Sequence, residues 1–220
     1  MSPRVFLLSP ASCAGKRCQL LLAPGARSEL AARMRAEGAS LGEVFSFLSA
    51  LYFRGKLTYA ERFAAPPPAC PGVLVITPDR GLVAPGTPIT LRDLRAFARV
   101  PIDCGEIRYA RPLRSAAQAL RARLPASAEV VLLGSIATPK YVDVLVEVFG
   151  AALRFPGDFV GRGDMSRGGL LLRAARAGEE LAYRPVDGGI RRGPRPARLP
   201  RLARADAASS ARPRSATRGA

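Results

Sequence analysis

The chain contains no histidine and no tryptophan, and only three of its 34 basic residues are lysines. Without histidine, the side chain whose ordinary pKa lies nearest neutrality is missing. That excludes His-activated nucleophiles and His-containing zinc sites. The four cysteines, Cys13, Cys18, Cys70 and Cys104, show no C-x-x-C spacing, and a zinc site would need all of them. They read as small buried hydrophobes in a reducing compartment, so no metal and no other cofactor is expected. No apolar run approaches the roughly 20 residues of a membrane span. The run after Met1-Ser2-Pro3-Arg4 is too short for a secretory signal. The cytoplasm is the expected location, with no membrane partner; protein partners are left open.

What is present is an ordinary apolar content with an extraordinary charge. Hydrophobic residues make up 48% and charged residues 23% of 220 residues, which suits one domain with a sizeable core. The formal net charge is +17, which favours nucleic acid or another anionic partner through counterion release. Residues 191–220, however, hold nine arginines against one acid, Asp206, so about half of the excess lies there. After Gly188 the composition turns to Arg, Pro, Ala and Ser with few large apolar residues. Residues 1–188 are therefore expected to form the domain and 189–220 a disordered, arginine-rich tail.

Short apolar runs alternate with helical patterns along the domain. Val5-Phe6-Leu7-Leu8, Val73-Leu74-Val75-Ile76-Thr77 and Glu129-Val130-Val131-Leu132-Leu133 read as buried parallel strands, with shorter ones at 100–102 and 153–155 and an edge strand at 183–186. Helices are expected at 27–37, from Ser40 on, at 90–98, 112–123 and 139–149, and one ending near Gly178. Ser40 and Glu43 have capping-box spacing, and Gly55 marks a break or kink in the long helix that follows. The pattern predicts an α/β fold in three layers, a mainly parallel sheet of four to five strands with helices on both faces.

In such sheets ligands bind outside the carboxyl ends of the strands, so the polar residues just after each strand are the candidates. Ser9, Ser12 and Lys16 follow the first strand; Asp79 and Arg80 the second; Asp103 the third; Ser135, Thr138 and Lys140 the fourth; Asp158, Arg162, Asp164, Ser166 and Arg167 the fifth. Cations and hydroxyls suit phosphate, which assigns Ser9, Lys16, Arg80, Ser135, Lys140, Arg162, Ser166 and Arg167 to phosphate or nucleotide binding. Asp79 and Asp158 are the candidate acid and base, since a carboxylate of raised pKa is the natural proton-transfer group where histidine is absent. In a chain that otherwise uses arginine, Lys16, Lys56 and Lys140 stand where a compact ammonium is wanted. Ser9 to Arg17 follows a strand and ends in Gly15-Lys16. Pro10 at the place of the first glycine and Arg17 at that of the magnesium-binding hydroxyl depart from a P-loop.

Val131-Leu132-Leu133-Gly134-Ser135 with Ala137 and Lys140, then Phe159-Val160-Gly161, Ser166-Arg167 and Leu171-Leu172, resemble the C-terminal part of the uracil-DNA glycosylase superfamily. The resemblance runs from about residue 130 to 186 and implies a parallel α/β sheet with a DNA-binding cleft at the strand carboxyl ends. The family's catalytic histidine loop has no counterpart, because Phe155-Pro156-Gly157-Asp158 stands in its neighbourhood. The full length also resembles a bacterial protein family to which no activity attaches. Three readings follow: a divergent or inactive glycosylase-like protein binding a nucleobase, nucleoside or nucleic acid, which as an enzyme would be an N-glycosylase; an enzyme or binding protein for a small phosphorylated metabolite; and a non-catalytic nucleic-acid binder acting through its tail.

Overall fold

The computed structural model describes residues 2–197 and Leu199. The α/β architecture expected from the sequence is present, with six strands rather than four or five. In chain order the elements are β1 (Arg4–Leu8), α1 (Lys16–Leu22), α2 (Glu29–Ala36), β2 (Ala39–Ser40), α3 (Leu41–Phe63), β3 (Val73–Thr77), β4 (Gly81–Val83), β5 (Pro88–Ile89), α4 (Leu91–Ala98), α5 (Ile107–Arg123), β6 (Glu129–Leu133), α6 (Pro139–Phe149), β7 (Leu153–Pro156), α7 (Asp164–Ala177) and β8 (Tyr183–Pro185). The main sheet runs β4-β3-β1-β6-β7-β8, and β2 pairs with β5 in a separate two-stranded ribbon. β3, β1, β6 and β7 are parallel, while β4 and β8 close the edges antiparallel.

The central strands are apolar throughout because both faces are covered. Val5, Phe6, Leu7 and Leu8 have no exposed surface, nor do Val130 to Leu133 beside them. β1 connects to β3 on one side and β6 lies on its other side, so the crossovers travel in opposite directions. With right-handed connections, that places their helices on opposite faces. α3 packs on α7 and α5 on α6, giving the three layers. At the outer end of β1, Arg4 pairs with Glu129 at 2.9 Å and also with Glu180, and Arg154 reaches Glu129 at 2.9 Å.

Several local expectations shift. Residues 100–102 form no strand and lie in the connection from α4 to α5, whereas the Gly- and Pro-rich stretch after Asp79 supplies β4 and β5. α5 begins at Ile107, so Pro112 sits inside it. Ser40 does cap α3, accepting from the Glu43 amide at 3.2 Å, but the Glu43 carboxylate turns to Arg33 and the reciprocal half of the box is not formed. The kink in α3 falls at Ala50 (φ 45°, ψ −122°), a left-handed conformation that costs a non-glycine residue about 1–3 kcal/mol.

Gly55 has a different role. A Cβ there would lie 2.7 Å from the Gly168 carbonyl oxygen, and one at Gly168 would lie 2.8 Å from the Leu51 carbonyl oxygen. The two glycines let α3 and α7 cross backbone to backbone.

Residues 189–197 form no helix or strand, yet they lie against the domain. Arg191 pairs with Asp143 at 3.4 Å and Arg162 donates to the Ala197 carbonyl at 3.4 Å. Gly161, at φ +73°, approaches Pro194 so closely that a Cβ would meet its carbonyl oxygen at 2.0 Å. The disorder expected for residue 198 and for 200–220 lies outside the described residues.

Candidate functional site

A parallel sheet whose connections diverge on either side of one strand leaves a gap at the carboxyl ends, where no crossover passes over the sheet. Here the divergence lies between β1 and β6, and a cavity of about 700 Å³ opens there. One wall is polar. It carries Ser9 and Ser12 after β1, Ser135 and Thr138 after β6, and Ser49 from α3. Lys140, near the start of α6, and Asp164, the first residue of α7, face in from that side. The rest of the lining comes from the end of α4 and the connection after it, with Phe97 from the helix, Val100, Pro101 and Ile102 as apolar groups and Arg99 as a cation.

Buried polar groups lie at and behind the lining. Lys56, on α3, is 1% exposed and directs Nζ at Ser9, 2.6 Å from its carbonyl oxygen and 2.9 Å from Oγ. The Tyr52 and Phe53 rings flank the amine, 4.5 and 4.8 Å from Nζ to their centroids. Burial lowers the Lys56 pKa from 10.5 to about 7; Asp164 pulls it back up and Arg167 presses it further down. Tyr141 donates to the Ser135 carbonyl at 2.9 Å and neighbours Ser9 Oγ, and burial raises its pKa. The Tyr52 hydroxyl is buried beside the Arg167 guanidinium without a well-formed hydrogen bond, and burial keeps it protonated.

Of the residues expected at the strand ends, Ser9, Ser12, Ser135, Thr138, Lys140 and Asp164 line this cavity; among those assigned to phosphate, these are Ser9, Ser135 and Lys140. Arg167 lies just behind it, 8% exposed. It donates to the Phe159 carbonyl at 3.2 and 3.1 Å and is 3.5 Å from Asp164, so it braces the turn before α7 and is not open to a phosphate. Arg162 and Ser166 face a separate cleft of about 330 Å³ on the other side of α7, shared with Met165 and Arg195. Lys16 is exposed at the start of α1 and does not line the cavity. Arg80 turns away to Asp93 on α4 and lies over the Phe97 ring at 5.2 Å.

The two expected carboxylates do not meet. Asp158 is exposed in a short turn at residues 157–159, outside the cavity, where only its backbone carbonyl is engaged, by Arg162 at 3.0 Å. Asp79 sits at the cavity's edge next to Pro78. Its Oδ1 is buried, 3.5 Å from Arg80 Nε and without a hydrogen bond; burial raises its pKa and Arg80 lowers it. The Cys13 thiol nearby is pushed up to about 12, first by burial and then by Cys18 and Asp79. The carboxylate that lines the cavity is Asp164. Tyr52, Arg99 and Tyr141 went unnoticed in the sequence as site residues.

Among the described residues, no group of three or more His, Cys, Asp or Glu is placed to hold a metal ion, and no helix is long and apolar enough to cross a membrane. No family model matches the chain, and neither a curated protein nor a solved structure is significantly similar to it. Fold and cavity together define a three-layer α/β protein with a cavity of mixed polar and apolar lining at the topological switch point.

Proposed function

We propose that this cavity binds a nucleoside-type ligand carrying phosphate, either free or as part of a nucleic acid. One observation carries the reading: Ser9, Ser135 and Lys140, from the ends of two central strands and the helix after them, converge on a single cavity that also has an apolar lining. The volume is that of a small-molecule site. The Phe97 to Ile102 wall suits the face of a base, the hydroxyls suit its polar edge and the sugar, and Lys140 with Arg99 suits the phosphate. The parallel order β3-β1-β6-β7 and the position of the cavity are in keeping with the resemblance of residues 130–186 to uracil-DNA glycosylases, whose cleft also lies at the strand carboxyl ends. N-glycosylase chemistry would have to draw on Asp164 or on Asp79 at the cavity's edge, because Asp158 is remote.

The test is equilibrium binding of nucleoside monophosphates, the matching nucleosides and a short single-stranded oligonucleotide. The monophosphate should bind more tightly than the nucleoside, and Lys140→Ala should weaken it about tenfold, the loss of one charge-assisted contact of ~1.4 kcal/mol. Equal affinity for nucleoside and monophosphate, or no effect of Lys140→Ala, would refute the reading. Oligonucleotide binding that ignores Lys140→Ala and fades with salt would assign nucleic-acid contact to the arginines of 191–220.

A further inference from the structure

We propose that Ser9 and Lys56 form a nucleophile and base pair, in which Ser9 Oγ attacks the acyl carbon of an ester held in the cavity. Serine is a weak nucleophile until a neighbour takes its proton, and a neutral amine does this where histidine is absent. The geometry fits that role. Lys56 Nζ is 2.9 Å from Ser9 Oγ and 2.6 Å from the Ser9 carbonyl oxygen. A neutral amine satisfies both contacts, donating one N–H to the carbonyl and accepting the Oγ proton on its lone pair. Ser9 lines the cavity while Lys56 lies behind it, 1% exposed, so the base is screened from water and the nucleophile faces the substrate.

Two further features point the same way. Gly134 lets the turn after β6 pack closely on Ser9, which fixes its position: a Cβ at 134 would lie 2.8 Å from Ser9 Cβ, 3.2 Å from Ser9 Oγ and 2.8 Å from Tyr141 Oη. Tyr52 also borders the cavity, and its hydroxyl, buried without a well-formed hydrogen bond, is a spare donor that would serve the oxygen that gains charge. The groups facing Lys56 are Ser9 just after β1, the Tyr52 and Phe53 rings from α3, and Asp164 and Arg167 from α7.

In the first step Oγ bonds to the acyl carbon, its proton passes to Lys56 Nζ, and the carbonyl electron pair moves to oxygen. The tetrahedral centre then collapses, the C–O bond to the alcohol breaks, and the Lys56 ammonium returns the proton to the departing oxygen. Water attacks the Ser9 ester by the same route in reverse, so the sum is ester plus water giving acid plus alcohol. That the ester also carries an anionic group against Lys140 and Arg99 rests on the nucleotide reading; the pair itself does not.

The test is covalent labelling of the full chain with a fluorophosphonate, which Ser9 Oγ attacks at phosphorus with loss of fluoride. Peptide mass spectrometry should find the adduct on Ser9, formed about ten times faster at pH 8 than at pH 6, as a base of pKa about 7 requires. Lys56→Met should lose it, while Lys16→Ala, exposed and outside the cavity, should keep it. An unlabelled Ser9, a labelling rate flat across that range in the unaltered protein, or a Lys56→Met protein labelled as fast as the parent would each overturn the pair. Protection by a nucleoside monophosphate supports both proposals. Labelling without protection keeps the pair and removes the nucleotide.

Discussion

Lys56 should leave a measurable trace in the stability of the protein. Its pKa is lowered from 10.5 to about 7 in the folded state, first by burial and then by Arg167, with Asp164 opposing. Between those values the unfolded chain holds a proton that the native state has released. Stability therefore rises with pH across the window and is lost as pH falls toward 7; below that both states are protonated and the loss is complete. At about 1.4 kcal/mol per unit the full span is on the order of 5 kcal/mol. Roughly 2 kcal/mol of it falls between pH 7 and 9. Buried thiols act in the opposite sense, because the Cys13 and Cys18 pKa values are raised and the unfolded chain ionises first. The comparison must therefore be made against Lys56→Met, which keeps the thiols. Urea unfolding at pH 7, 8 and 9 should show the difference between parent and variant growing by about 2 kcal/mol in favour of the parent. Parallel curves, separated by a constant amount, would mean that Lys56 is charged in the native state and that its burial has been misread.

Two other perturbations probe the frame of the site. Gly168→Ala puts a methyl group 2.8 Å from the Leu51 carbonyl oxygen and should cost about 2 kcal/mol by urea unfolding; a neutral result would mean that α3 and α7 can separate. Iodoacetamide applied to the native protein should modify the half-buried Cys70 and Cys104 before the buried Cys13 and Cys18. Peptide mapping that found Cys13 first would contradict its burial.

The sheet was legible wherever a strand is buried on both faces, because β1, β3 and β6 are then unbroken apolar runs. The edges were not. β4 and β5 hold two or three residues each in a stretch rich in Gly and Pro, where turn signals outweigh pairing signals. The run Val100-Pro101-Ile102 has strand composition, but it finds no strand to pair with; Val100 and Ile102 pack half-buried against the core and border the cavity. The rule that polar residues gather at strand carboxyl ends located Ser9, Ser12, Ser135, Thr138, Lys140 and Asp164. It misplaced Arg80, which finds Asp93, and Asp158, which the 157–159 turn directs outward. Lys56 had a readable signal of another kind. Tyr52, Lys56 and Tyr59 follow one another at helical spacing on the apolar side of α3, and a lone lysine on such a face is a buried cation in search of an acceptor.

The glycine crossing of α3 and α7 has a mechanical meaning. Where two backbones touch directly there are no side chains to change rotamer, so neither helix can slide past the other without breaking contact. α3 carries Tyr52 and Lys56, and α7 carries Asp164 and Arg167. The crossing therefore fixes the backbones that carry these four groups against each other. Any adjustment of the cavity to a guest falls to the unstructured connection from Arg99 to Ile102, whose position is set by α4 and α5 and by no strand of the sheet.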